Sequence, residues 1–321
     1  MKEIIENLKK EYNNYFEEKG YYKNLTVPIS SGIDKSVILI GSTISVLKTK
    51  LLSDQISDKG DYLIQRAIRT HSLKRELIPE KNEWSSYFDA SGVLVPYELL
   101  NKLVYDVIEF INKKIDISYS DIMIRISSND VDLMNSIRAL NENIIIEIDS
   151  RYEKYYRHKY GLQEYGIYGR NFNIAIRDFR TVEYKDIGNI IVIESNSKKY
   201  GVECAIGLNA ILMRKLGLPT SIDASSIVDI YKPVKDEDYK FLDCLSVVSH
   251  LAHENVIKSN KRGPQYLYRK YLKCLKYWSD SKGISDLTLL KFIKDYIYFE
   301  YNQKNDTIIE NNVVKILSKG R

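Results

Sequence analysis

Apolar residues at Ile4, Ile5, Leu8, Tyr12 and Phe16 recur at helical spacing, and the run closes at Lys19-Gly20, a cationic last turn followed by a glycine stop. The chain therefore opens with an amphipathic helix. Val27-Pro28 and Ser30-Ser31-Gly32 mark a turn, and the apolar run Val37-Ile38-Leu39-Ile40 reads as a buried strand. Strand-like runs at 62–69 and 85–95 flank the charged loop 70–83, which predicts a long hairpin. Residues 99–111 have the period of an amphipathic helix, and 121–127 alternate apolar and polar residues as a strand does. Three further strand runs, 172–182, 187–194 and 200–206, are separated only by the polar joins 183–186 and 195–199, and such close spacing predicts an antiparallel sheet. After Gly207 a helix runs to Lys215 and stops at Gly217-Leu218-Pro219.

From Asp236 onward helical patterning takes over, through 238–256, 264–278 and 285–302. The predicted class is α+β: an antiparallel sheet flanked by helices over 1–235, followed by a helical domain over 236–321. At 321 residues with 44% hydrophobic content, the chain can bury a core of that size, and with no Pro/Gly-rich linker the two parts are expected to pack together.

Composition narrows the function classes. No apolar run approaches the ~20 residues that cross a bilayer, and the first helix lacks the apolar stretch of a secretory signal, so a soluble, cytoplasmic protein is expected. Cys204, Cys244 and Cys274 are far apart and form no CxxC pair, which predicts reduced core thiols rather than disulfides or zinc ligands. The net charge of +5 is local: seven Lys or Arg and no Asp or Glu fall between Asn255 and Ser279. His250 and His253 with Glu254 have a spacing that could hold a metal, but no further ligand is marked, and no metal site is expected. No Gly-rich phosphate loop or Ser-His-Asp order is visible, and the tyrosines recur with Leu and Ile as core residues do.

The segments 15–20 and 27–31, QRAIRTHSLKRE at 65–76, Tyr87-Phe88-Asp89 with Gly92, Asp186-Ile187-Gly188-Asn189, VECAIGLNA at 202–210, and Ser259-Asn260 with the basic helix after it together resemble, in this order, the alanyl-tRNA synthetase family, from the first helix to about Ile284. Tyr15-Phe16-Glu17-Glu18-Lys19-Gly20 and Val27-Pro28-Ile29-Ser30-Ser31 are similar to the family's Phe-x-x-x-Gly and Val-Pro-Ser-Ser-Ser opening. QRAIRTHSLKRE at 65–76 resembles its Gln-x-Cys-Ile-Arg strand and loop, and places Arg69 at the arginine that grips the ATP α-phosphate. A guanidinium suits that role because its planar fork donates two hydrogen bonds to phosphate oxygens; read alone, Arg69 is equally an ordinary surface arginine. Tyr87-Phe88-Asp89 and Gly92 resemble Phe-Phe-Glu followed by Gly, which makes Asp89 an ATP-binding candidate, while Glu83-Trp84-Ser85 stands where the family has Arg-His-His.

Asp186-Ile187-Gly188-Asn189 resembles Glu-Ile-Trp-Asn, putting Asn189 where an asparagine helps to hold alanine; Gly188 in place of tryptophan implies an enlarged pocket. The segment 202–210, VECAIGLNA, resembles Val-Asp-x-Gly-x-Gly-Leu-Glu-Arg, with Glu203 for the aspartate that pairs with the substrate ammonium, Gly207 retained and implied beside it in the amino-acid site, and Asn209-Ala210 for Glu-Arg. The missing arginine normally meets the γ-phosphate; Arg214, one helical turn on, is the candidate to replace it. Ser259-Asn260 and the basic helix that follows are similar to the family's Ser-Asn and Arg-rich helix near the tRNA acceptor stem, which nominates Ser259, Asn260, Arg262, Arg269, Lys270, Lys273 and Lys276 for RNA, although a solvated charged face would look the same.

The resemblance implies ATP and Mg²⁺ as cofactors and a small amino acid as substrate. Three functions follow: activation of alanine or a similar amino acid with transfer to tRNA, transfer to a different acceptor such as a carrier or metabolite, or an inactive relative that binds tRNA, amino acid or a protein.

Overall fold

The computed structural model describes residues 1–149, 153–159, 162, 166–256 and 263–303. Helix α1 (Lys2–Glu18) buries Ile5, Leu8, Tyr12, Tyr15 and Phe16 and ends before Gly20, whose φ of +85° lies in the left-handed region that favours glycine. Strand β1 (Tyr22–Lys23) is brief. Helix α2 (Ile44–Leu52) precedes the hairpin β2 (Asp61–Ile68) and β3 (Tyr87–Val95), and α3 (Leu100–Lys113) leads to β4 (Ile122–Ser127). Helix α4 (Val131–Ile137), β5 (Ile145–Asp149) and β6 (Arg157–His158) precede the meander β7 (Tyr168–Arg177), β8 (Tyr184–Glu194) and β9 (Lys199–Gly207). Helices α5 (Leu208–Lys215), α6 (Asp236–His253), α7 (Pro264–Ser281) and α8 (Asp286–Tyr301) complete the described chain.

Among the described residues the strands form one sheet in the order β1-β2-β3-β9-β8-β7-β4-β5, with β6 against β7. Pairing is antiparallel except for β1 with β2 and β4 with β5, so the expected antiparallel sheet flanked by helices is the one observed. The hairpin, the meander and the three late helices all fall where periodicity predicts them. The run at 37–40 does not form a strand: Val37 and Ile38 are exposed, while Ile40 bonds through its backbone to Ile29 and Ile68 as irregular cover for the β2 edge. Residues 178–182 form the turn between β7 and β8 rather than strand, and the join at 183–186 lies mostly within β8.

The two sheet faces are filled differently. One carries Tyr62, Val93, Phe172, Ile190, Val192, Val202 and Cys204 against α1 and α3. On the other, Leu63, Leu94, Ile191 and Ile193 pack under α2 through Ile44, Leu47 and Leu51, but only over half of the sheet. Gly92 is what lets α2 settle there, because a Cβ at this position would lie 2.0 Å from Thr43 Oγ1. The other half of that face stays open. Helices α6, α7 and α8 share an apolar core with Ile68 and Tyr87 of the hairpin, which seats the helical layer on the end of β2 and β3. Cys204, Cys244 and Cys274 are buried free thiols. Among the described residues, no helix is long and apolar enough to cross a membrane.

Candidate functional site

The open half of the sheet face holds a cleft of about 250 Å³ lined by Arg69, His71, Trp84, Asn173, Asp186, Ile187, Gly188, Asn189, Gly207 and Ala210. Its floor follows from the register. Ala205 lies opposite both Gly92 and Asn189, Asn189 opposite Asn173, and Asn173 opposite Arg125, so these side chains form one row across five strands. Ala90 and Gly207 form part of the next row outward, and their small size leaves the space empty. Arg69, Asn189 and Gly207, assigned from the sequence to substrate, thus come together around one cavity.

Arg69 follows the last residue of β2, and its backbone N–H still pairs with Ser86 O at 2.8 Å. Its guanidinium carbon lies 3.7 Å from the Phe88 ring centre and 5.5 Å from that of Trp84, and Nη1 donates to Ser85 O at 3.2 Å. No carboxylate among the described residues lies within ion-pair distance. Burial pushes its pKa down to about 10, so the cation is desolvated without being neutralised.

The opposite wall is made by Asp186, and a β-bulge puts it there. Asn173 pairs with Asn189 and Ile174 with Gly188, but Ala175 pairs with Asp186, so Ile187 is the extra residue. The bulge turns Asp186 toward the cleft face. There its Oδ2 accepts from Asn173 Nδ2 at 2.8 Å, and its Oδ1 meets Arg125 Nη1 at 2.6 Å. Arg125 is shared with Glu147 at 3.0 Å. Asn171 donates to Asn173 at 2.7 Å, and Asn189 Nδ2 stands 3.4 Å from His158 Nε2, whose pKa burial lowers. Neither Asp186 nor Asn173 is marked by the sequence as a cleft residue. The available signal is Gly188, a glycine inside a strand pattern, which marks a bulge or a close backbone approach.

Four expectations are corrected. Glu203 shares the cleft face but sits one row deeper, opposite Ile191 and Leu94, 1% exposed and reached by Thr43 Oγ1 at 3.4 Å; α2 covers it. Asp89 pairs with Arg66 on the other face and forms a 2.9 Å ion pair with Lys9 of α1. Arg214 is buried between Asp178, at 3.0 Å, and Glu83, at 2.5 Å, so its charge is held by two carboxylates instead of being offered to phosphates. Gly188 is not a vacated tryptophan site, because a Cβ there would lie 2.3 Å from Ala205 O. Asn209 is structural: it accepts from Asp89 N and donates to Ala224 O.

No family model matches the chain, and no curated protein matches it in sequence. Among solved structures, it is similar to an aspartyl-tRNA synthetase from Entamoeba histolytica, at 11% identity over 70% of this chain and 56% of that one, TM-score 0.42. It is also similar to the RNA-binding domain of threonyl-tRNA synthetase from Cryptosporidium parvum, at 9% identity over 66% of this chain and 65% of that one, TM-score 0.39. A structure described as a threonyl-tRNA synthetase of Aeropyrum pernix gives 12% identity, 84% and 74% coverage, and TM-score 0.43. The chain thus spans just over half of the first and under two thirds of the second. The specificities they name are aspartyl and threonyl, so alanine stays a reading of the sequence alone.

The basic helix forms a second surface. On α7, Tyr266, Lys270, Lys273 and Tyr277 are exposed at helical spacing, with Lys270 Nζ 5.5 Å from the Tyr266 ring centre. Arg269 is half-buried. Lys276 departs from the expected RNA face, since it pairs with Asp280 and, at 2.9 Å, with Asp286. Ser259, Asn260 and Arg262 lie outside the described residues. His250 stacks on Tyr87 at 3.7 Å and His253 on Tyr301 at 3.6 Å, so both rings serve aromatic packing. Among the described residues no three carboxylate, imidazole or thiol groups converge as metal ligands.

Proposed function

We propose that the cleft binds ATP at Arg69 and a small amino acid at Asp186, Asn173 and Asn189, and joins the two as an aminoacyl adenylate. The carrying observation is the polarity of the cavity: the Arg69 guanidinium, with no carboxylate of the described residues within ion-pair distance, stands at one end, and the Asp186 carboxylate, held by Arg125 and Asn173, at the other. An amino acid approaching a nucleotide sets its charges in the same order, with the ammonium outermost and its carboxylate against the α-phosphate. A carboxylate oxygen then bonds to the α-phosphorus, the bond to the bridging oxygen breaks, and pyrophosphate leaves. The Arg69 fork stabilises the charge on the α-phosphate oxygens. Magnesium would come with the triphosphate, as the resemblance implies. The small floor residues Ala90, Ala205 and Gly207, together with the resemblance to alanyl-tRNA synthetases, support a small side chain. The Tyr-Lys-Lys-Tyr stripe of α7 supports tRNA as acceptor over a carrier or metabolite.

A second reading, binding without turnover, is favoured by Ala210 and by the engagement of Arg214, since among the described residues no lysine or second arginine lines the cleft to meet the outer phosphates. ATP–pyrophosphate exchange over a panel of amino acids separates the two. Exchange that depends on a small amino acid supports adenylation; ATP binding without exchange for any amino acid supports the second reading. Charging of tRNA then tests the acceptor.

A further inference from the structure

The guanidinium of Arg69 is held from the helical layer through a short chain of hydrogen bonds. Arg69 makes two bonds to the returning strand, from its backbone N–H to Ser86 O at 2.8 Å and from Nη1 to Ser85 O at 3.2 Å. Ser86 is itself fixed by Asp243 of α6: its N–H donates to Oδ1 at 2.8 Å and its Oγ to Oδ2 at 2.7 Å. Tyr271 of α7 donates to the same Oγ at 3.1 Å. Ser85 is clamped by Ser221, through N–H to Oγ at 2.6 Å and Oγ to Oγ at 2.8 Å. The hairpin loop between these points is tied to the same helices by Trp278 Nε1 on Glu76 O at 2.7 Å and Lys240 Nζ on Arg75 O at 2.9 Å.

These contacts share one feature. Among the described residues, the side chain that lines the cleft touches a peptide carbonyl and two rings and feels the Asp243 carboxylate at longer range, while the peptides that carry this carbonyl are pinned by that same buried carboxylate. Asp243 is 3% exposed and satisfies both a backbone N–H and a hydroxyl, an arrangement that fixes the Ser85-Ser86 segment more tightly than packing alone. Burial raises the pKa of this carboxylate, which marks it as costly to keep unless it holds something in place.

We propose that Asp243 is a positioning residue: acting through Ser86 and Ser85, it sets the direction of the Arg69 guanidinium and thereby the affinity of the cleft for the phosphates of ATP. The helical layer is then part of the nucleotide site although it contributes no lining side chain. The proposal rests on the reading of the cleft given above.

ATP titration by calorimetry on the full chain tests it, with four variants whose circular dichroism and melting match the wild type: Asp243→Asn, Ser86→Ala, Arg69→Ala and the Asp243→Asn/Arg69→Ala pair. Arg69→Ala is expected to weaken ATP binding by about a hundredfold and Asp243→Asn by about tenfold, and the pair is expected to bind no more weakly than Arg69→Ala alone. That non-additivity is what a merely structural role would not produce. Ser86→Ala, which removes only the hydroxyl, should reproduce part of the Asp243→Asn loss, and decides the matter if Asp243→Asn does not fold. An Asp243→Asn or, in that case, Ser86→Ala protein with wild-type affinity overturns the proposal, as does a loss that adds in full to that of Arg69→Ala. ATP binding that is absent from the wild type, or indifferent to Arg69→Ala, overturns the adenylation reading itself and this inference with it.

Discussion

The guanidinium carbon of Arg69 lies 3.7 Å from the centre of the Phe88 ring, a cation–π distance. A lysine cannot reproduce this, because an ammonium neither stacks nor presents two parallel donors. Arg69→Lys is therefore expected to lose most of the ATP-dependent activity, on the order of a hundredfold in kcat/KM, with melting unchanged. Pyrophosphate exchange read beside a thermal melt checks it; full activity in the lysine variant would remove the bidentate role.

In the adenylation reading, Asp186 meets the other half of the substrate. Asp186→Asn keeps the shape and loses the charge, so the KM for amino acid should rise by roughly tenfold while ATP affinity holds. Steady-state kinetics with each substrate varied in turn separates the two. A loss confined to ATP would contradict the assignment.

Gly188 sits where β9 comes closest to the bulge, and an alanine Cβ would lie 2.3 Å from Ala205 O. Gly188→Ala should lower stability by about 1–3 kcal/mol, since strand backbone has little room to yield. Chemical denaturation measures it. A variant of wild-type stability would mean that the bulge relaxes freely.

Glu76 is buried beside Asp243, and burial pushes its carboxyl up to about 9 from an ordinary value of 4.5. A raised pKa means that the folded chain holds a proton that the unfolded chain releases, so this contribution to stability is full below 4.5 and fades as pH rises toward 9. Glu76→Gln stays neutral throughout and should flatten that decline. Melting temperatures of both proteins between pH 4.5 and 9 test the sign: the gap between them should widen in favour of glutamine as pH rises through this window and level off above it.

Lys270 and Lys273 lie on the exposed stripe of α7, away from the residues that line the cleft. Lys270→Glu with Lys273→Glu should weaken RNA binding and reduce its salt slope by about two, leaving ATP affinity intact. Filter binding at several salt concentrations gives both quantities.

The elements with clean periods were legible from the chain: α1, the hairpin, the β7–β9 meander and helices α5 to α8 repeat apolar residues at 3.6 or 2, and they form where those periods place them apart from the turn and bulge between β7 and β8. Residues 37–40 were not, because an apolar run says that a segment is buried but not whether strand neighbours are available to pair with it. Face assignment in the site depended on one inserted residue. Strict alternation from Asn189 places Ile187 in the cleft and Asp186 in the core; the bulge exchanges them, and a period-2 argument has no means of seeing the exchange. Glu203 is the converse case. Its face follows from alternation, but its cover comes from α2, which is distant in sequence and admitted by a glycine.

That glycine limits chemistry as well as packing. With Thr43 resting against Gly92, α2 ends the cavity after its outer rows of floor residues and seals Glu203 beneath it. The depth available to a bound side chain is thus set by a helix that contributes no group to recognition, and substrate size can be retuned by sliding or shortening that helix while every polar contact in the cleft stays as it is.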